Sequence, residues 1–159
     1  MNGTPKSIFG TFALIEMITW AVLISAIVVR ETIGLAPNMF FIAGATHGFA
    51  FIGYSATAVL VAVNQRWPLL RGAIAVMLAI VPFATVPFEK YLEKRKFLDG
   101  DWRTEKSNNP LDKTKFDQLF RWFINHPVIL VLTLFICVIG LFTFLLWLGP
   151  PSEWGNKSS

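Results

Sequence analysis

Four uninterrupted apolar runs, residues 8–29, 39–63, 69–88 and 127–148, constrain this chain more than any other feature. Each reaches the roughly 20 helical residues needed to cross a hydrocarbon core about 30 Å thick. The runs are continuous rather than alternating, so helices that satisfy their own backbone are expected and barrel strands are not. They take up so much of the 159 residues that 54% of the chain is apolar and only 15% charged, against roughly 25% charged in a soluble domain. The expected fold is all-α, a polytopic membrane bundle of four transmembrane helices. The first run follows Lys6 but reads as a retained span rather than a secretory signal: it is longer than a signal's apolar region, Glu16 sits inside it, and no small-residue cleavage site follows.

The charge is concentrated between the third and fourth runs. Sixteen of the 24 charged residues lie from Glu89 to Arg121, nine basic and seven acidic. With four spans, Lys6, Arg66, Arg71 and Lys157 fall on one side, and Arg30 falls on the other with Lys90, Lys94, Arg95, Lys96, Arg103, Lys106, Lys113, Lys115 and Arg121. The excess of Lys and Arg places the second side in the cytoplasm and both termini outside. The expected organisation is a three-helix membrane core over residues 1–88, a charged cytoplasmic loop over 89–126, a fourth span over 127–148 and a short extracytoplasmic tail over 149–159.

Within the loop, Tyr91, Leu92, Phe97 and Leu98 continue the third helix past the membrane surface. Asp99-Gly100 marks a turn and Asn108-Asn109-Pro110 a second break. From Asp112 as the expected N-cap, Phe116, Leu119, Phe120 and Phe123 recur at helical spacing, with Trp122 beside them, and read as an interfacial amphipathic helix available for partner contact. Trp102, Trp122, Trp147 and Trp154 are expected near membrane interfaces.

Membrane helices associate through small residues and polar contacts. Gly44 and Gly48 form a GxxxG spacing, followed by Ser55 and Ala56; Ala75 and Ala79 stand four apart in the third run, and Ala21 and Ser25 in the first. The GxxxG pair serves packing either within the chain or against another subunit. The fourth run, with only Cys137 and Gly140 among bulky residues, is expected to be peripheral. The five residues between Val63 and Leu69 make the second and third helices antiparallel neighbours, and Pro82 and Pro87 are expected to bend the third.

Two ionisable residues lie well inside runs, Glu16 and His47. Such residues are functional candidates. Measured from the ends of the apolar runs, they differ by roughly 12 Å in depth at 1.5 Å per residue, too far to pair directly. The partners expected at the level of Glu16 are Tyr54, Ser55 and Thr57; for His47 they are Ser25 and Thr85. The plainer role of both is to hold the bundle together by hydrogen bonds, with Glu16 protonated because lipid penalises its charge. The functional role is a proton or ion relay, for which polar residues are sparse.

No catalytic set is recognised: there is no phosphate loop, HExxH, nucleophile elbow or carboxylate pair. One cysteine leaves no disulfide framework or cysteine-based metal site, and haem is disfavoured because the only other histidine is His126. No cofactor and no metal are expected. Lys90, Lys94, Arg95 and Lys96 suit topology anchoring and contact with anionic lipid; the interleaved Glu89, Glu93, Asp99 and Asp101 argue against nucleic acid.

Glu16 with Thr19 and Trp20, the His47-Gly48 pair, and Pro82, Pro87, Phe88, Glu89, Lys90 and Tyr91 resemble the YdzA-like family of small bacterial integral membrane proteins, over about residues 8–96. That resemblance implies a shared unit of three spans and a function that is largely open; the charged loop, interfacial helix and fourth span depart from it. The chain is also similar in size and character to accessory membrane subunits of the actinobacterial cytochrome bcc-aa3 respiratory supercomplex. This implies a noncatalytic accessory or assembly subunit of the bacterial cell membrane, with other integral membrane proteins, among them respiratory complex subunits, and membrane lipids as its partners. The alternative is a small homo-oligomeric transporter or lipid-handling protein using Glu16 and His47.

Overall fold

The computed structural model describes residues 3–106 and 110–148. Asn108 and Asn109, the tail over 149–159, Trp154 and Lys157 lie outside the described residues. Among the described residues every regular element is helical. The chain divides into two units, residues 1–103 and 104–159.

Two long helices build the first unit. α1 (Pro5–Thr32) starts at Thr4, whose hydroxyl accepts a hydrogen bond from the Ser7 N–H, with Pro5 in the first turn where its missing donor costs nothing. α2 (Pro37–Asn64) also has proline in its first turn, and Gly34, at φ +81°, turns the chain between them. Each has 28 residues, about 42 Å at 1.5 Å per residue, and both are long and apolar enough to cross a membrane. They run antiparallel. Phe12 packs on Gly53, where a Cβ would lie 2.7 Å from the ring. Thr19 meets His47, and the Arg30 guanidinium lies 4.4 Å from the centre of the Phe40 ring.

The third apolar run is not one helix. α3 (Leu69–Met77) packs on α2, with Gly72 against Ala62. It tightens into a 3-10 turn over Leu78–Ile80 and then breaks. Val81 is extended, at φ −96° and ψ 117°, in line with the clash by which the ring of Pro82 disfavours the helical region for the residue before it. Phe83 follows at φ +65°, rare for a bulky side chain. The chain then re-enters a helix, α4 (Thr85–Lys94), which packs on α1. Pro87 does not bend this helix, contrary to expectation. It occupies the third position, where the backbone has no intrahelical acceptor to lose.

α3 and α4 are therefore the arms of a hairpin, one laid on α2 and the other on α1. α4 climbs α1 in antiparallel steps: Thr85 bonds at Ala13 and Glu16, Glu89 lies beside Gly10, and Glu93 pairs with Lys6. At the far end of α3 the Trp20 indole N–H donates to the Ala79 carbonyl at 3.1 Å. From Lys6 to Trp20 is about 21 Å along α1, so the hairpin reaches half the length of that helix and returns.

Residues 95–103 close the end from which the hairpin enters. Trp67 donates from its indole to Phe97 O at 3.0 Å, and Trp102 to Gly3 O at 2.9 Å. Asn64 donates to Asp101 O and accepts from Arg103 N, while Arg103 donates from Nε to Asn64 O and from Nη2 to Val63 O. A cation thus satisfies the last carbonyls of α2, where the helix dipole is negative. The expected topology sets the cations of the N-terminal segment and of the loop after Asn64 on the opposite side from those after the third run. Lys6, Arg66 and Arg71 do not face away from Lys90, Lys94, Arg95, Lys96 and Arg103; they share one end of the unit, with Arg71 stacked on Phe97 at 3.8 Å. The three-helix core over residues 1–88 becomes a helix pair and a hairpin that extends to Lys94.

In the second unit a 3-10 turn over Pro110–Lys113 precedes α5 (Lys115–Asn125). Its N-cap is Thr114, which accepts from the Asp117 N–H at 3.2 Å, rather than the expected Asp112. Asp112 is buried, with its carboxylate 3.6 Å from Arg121 and its backbone carbonyl accepting from Arg121 Nη2. The chain bends by 105° between α5 and the following helix α6 (Pro127–Leu148), and the two count as a third span if the bent pair is one crossing. The apolar helix Leu69–Ile80 is shorter than a span.

Candidate functional site

Glu16 is fully buried at the place where the hairpin meets α1. Its Oε2 lies 2.6 Å from the Thr85 hydroxyl, which also reaches the Ala13 carbonyl at 3.1 Å. Its Oε1 and the Tyr54 hydroxyl are buried without a hydrogen-bond partner among the described residues. One turn further along α1, the Thr19 hydroxyl reaches both the Glu16 carbonyl at 2.9 Å and Nδ1 of His47 at 3.1 Å, and the Trp20 and His47 rings lie 4.3 Å apart. Three helices thus contribute to one buried polar cluster: Glu16, Thr19 and Trp20 from α1, His47 and Tyr54 from α2, and Thr85 from α4.

The expected partners are redistributed. Thr85 belongs to Glu16, not to His47, because the break at Val81 shortens the third run and places Thr85 deeper along α1. Ser25 is exposed on α1 and leaves His47 to Thr19. Thr57 bonds the Gly53 carbonyl of its own helix, and Ser55 Oγ is buried without a partner among the described residues. The large depth difference between Glu16 and His47 also disappears. Thr19, three residues from Glu16 and therefore about 4.5 Å along the axis, touches His47 directly. The ends of the apolar runs misjudged the register, since α2 extends past the level where α1 begins its apolar run.

Of the small residues expected to pack, Ala75 and Ala79 are fully buried. Gly44 and Gly48 are not packed within the described structure: a Cβ at either would meet nothing within 4 Å. The close helix approach is at Gly53 instead. Ala21 and Ser25 also face outward, lining a shallow apolar groove with Met17, Ile18, Val22 and Phe83 beneath the hairpin tip. On α5, Phe116, Leu119 and Trp122 are exposed, Phe123 is half-buried and Phe120 is buried with Ile124. The expected aromatic face is thus split between contact and solvent-accessible sides.

At the closed end, Glu93 sits between Lys6 at 2.7 Å and Lys90 at 3.0 Å. The hydrogen bond from Lys6, and then that from Lys90, hold its carboxyl below the usual carboxylate range. Asn64 and Arg103, which bind this end most directly, carried no signal in the sequence. A polar residue next to a helix end and an arginine 39 positions away have no local pattern in common.

Residues 6–94 match the family described as a domain of unknown function, DUF3817. The chain belongs to this family. The DUF3817 match runs from the first rung of the α1–α4 ladder, Lys6, to the last residue of α4, Lys94, so it covers the helix pair and the whole hairpin. The chain is also similar to a provisionally named membrane protein of Streptomyces coelicolor, 41% identical over 94 residues, which are 55% of this chain and 11% of the relative. The chain thus matches about a tenth of the length of that curated relative. No solved structure matches the chain. The DUF3817 unit and the apolar helices together make this a membrane protein.

Proposed function

We propose that this chain is a noncatalytic accessory or assembly subunit of a larger complex in the bacterial cell membrane, and that the respiratory cytochrome bcc-aa3 supercomplex, whose accessory membrane subunits it resembles in size and character, is the complex to test first. The observation that carries this reading is the open face of α2. Phe41, Gly44 and Gly48 share one side of that helix, Phe41 is exposed, and the two glycines have no neighbour within reach. A face of small residues lets another backbone approach closely. The exposed Phe116, Leu119 and Trp122 of α5 offer a second surface, toward headgroups or a partner.

The topology that goes with this reading has α1, α2 and α6 as crossings and the α3–α4 hairpin as a re-entrant element. Irregular backbone at membrane depth is tolerated only where protein or water covers it; Val81, Pro82 and Phe83 are exposed on this chain, so the re-entrant placement implies cover from a partner or from water. Lys6, Arg66, Arg71, Lys90, Lys94, Arg95, Lys96 and Arg103 then share one side, opposite Arg30. By the bias of Lys and Arg that side is cytoplasmic, which puts the N-terminal segment inside.

The test is crosslinking and mass spectrometry of the full chain, purified from its native membrane in mild detergent. Copurification with other integral proteins, lost in a Gly44→Leu/Gly48→Leu variant that keeps its helix content, is the expected result. Recovery of the wild type only as a free monomer or homo-oligomer would overturn the reading and favour the transporter alternative, for which the buried Glu16 and His47 cluster is the supporting observation.

A further inference from the structure

We propose that Glu16 is a proton-binding site, and that the proton it carries is what fastens the re-entrant hairpin to α1. The inference comes from counting donors. A threonine hydroxyl has a single hydrogen to donate and lone pairs to accept with. Thr85 Oγ1 lies within hydrogen-bond distance of two oxygens, the Ala13 carbonyl at 3.1 Å and Glu16 Oε2 at 2.6 Å. The carbonyl and an ionised Oε2 are both acceptors, so both contacts can be hydrogen bonds only if the single Thr85 hydrogen goes to Ala13. The remaining contact is then a hydrogen bond only if the hydrogen lies on Glu16 Oε2, which donates to Thr85. With an ionised Glu16 one of these two buried contacts sets acceptor against acceptor.

The same count fixes the neighbouring contact. Thr19 Oγ1 faces the Glu16 carbonyl at 2.9 Å and His47 Nδ1 at 3.1 Å. Both contacts are hydrogen bonds together only if Thr19 donates to the carbonyl and His47 donates from Nδ1, the tautomer in which a neutral ring keeps Nε2 as the acceptor. Two relays of one design thus tie the neighbours to α1: Glu16 through Thr85 to Ala13, and His47 through Thr19 to Glu16 O. One holds α4 and the other holds α2.

The groups that face Glu16 set how the site responds to pH. From α2 this is Tyr54, with His47 held beyond Thr19; from α4 it is Thr85, with Glu89 one turn away against Gly10; and from α1 itself the Trp20 indole faces the carboxyl. Arg71, the charged residue of α3, is at the other end of the hairpin beside Phe97. Among the described residues no cation is recorded against Glu16 to hold its ionised form. Loss of the proton leaves Thr85 one hydrogen for two acceptors and releases one of the two bonds that anchor the first turn of α4. This site is independent of the accessory-subunit reading, since it concerns contacts inside the chain.

Infrared spectroscopy of the full chain in liposomes tests it, with hydrogen exchange of the α4 amides as the second readout. At neutral pH the wild type is expected to show the C=O stretch of a protonated carboxylic acid, shifted by deuteration, absent in Glu16→Gln and moved in Thr85→Val, which removes its acceptor. As the pH is raised until that band disappears, exchange at α4 is expected to speed up in the wild type and to stay unchanged in Glu16→Gln, whose amide N–H replaces the donor. Absence of the band at neutral pH would overturn the proposal. So would a band unaltered in both variants, because it then belongs to another carboxyl. The Thr85→Val shift keeps the assignment testable if Glu16→Gln does not fold.

Discussion

Lys6 Nζ lies 2.7 Å from Glu93 Oε1, joining the first turn of α1 to the last turn of α4. Because α4 is the returning arm of the hairpin, this one contact puts the start of the chain and the charged segment after the third apolar run on the same end. The pair also has a definite pH dependence. Glu93 titrates below its ordinary value of 4.5, held there first by the hydrogen bond from Lys6. A carboxyl whose folded-state pKa is depressed stabilises the fold above the unfolded value, and that contribution is lost as pH falls through the folded value. Thermal stability is therefore expected to fall below about pH 4.5 more steeply in the wild type than in Glu93→Gln. Parallel pH profiles for the two proteins would refute the link.

The glycines of α2 divide into one that packs and two that do not. At Gly53 a Cβ would stand 2.7 Å from the Phe12 ring. Gly53→Val is expected to destabilise the α1–α2 pair by about 1–3 kcal/mol, the usual range for overpacking. Gly44→Ala and Gly48→Ala are expected to leave the stability of the isolated chain within about 0.5 kcal/mol of wild type, as for an open surface. Denaturation of the three variants in one detergent checks this; a Gly44→Ala effect as large as that at Gly53 would contradict the packing.

The two prolines of the third run are expected to behave oppositely. Pro82 forces Val81 out of the helical region, whereas Pro87 occupies a first-turn position. Pro82→Ala is expected to raise the helix content measured by circular dichroism, by letting helix extend from Ile80 toward Thr85, and to weaken the Trp20–Ala79 and Glu16–Thr85 contacts. Pro87→Ala is expected to change neither. An unchanged spectrum for Pro82→Ala would show that the break has another cause.

Much of the helical architecture was legible in the runs themselves. α1, α2 and the amphipathic α5 lie where continuous apolar stretches and helical spacing place them, and Glu16 and His47, singled out by their charge within apolar runs, both lie in one buried polar cluster. Three things were not legible. A 20-residue apolar run gives the same hydropathy whether it crosses once or turns back in the middle, and only the Val81-Pro82 step hints at the turn. The register of α1 against α2 is set by the Phe12–Gly53 approach, which run boundaries do not report, so Glu16 and His47 were placed too far apart and Thr85 was given to the wrong partner. The cover over residues 95–103 depends on Asn64 and Arg103 meeting across the fold, a long-range pairing without a local signature.

The hairpin topology is tested most directly by cysteine accessibility in intact cells, with Cys137 changed to serine and one cysteine placed at Ser7, Glu31 or Lys94. A membrane-impermeant maleimide is expected to label Glu31→Cys in intact cells, and Ser7→Cys and Lys94→Cys only after the membrane is permeabilised. Labelling of Ser7→Cys and Lys94→Cys from opposite sides would mean that the third apolar run crosses the membrane, and would contradict the hairpin.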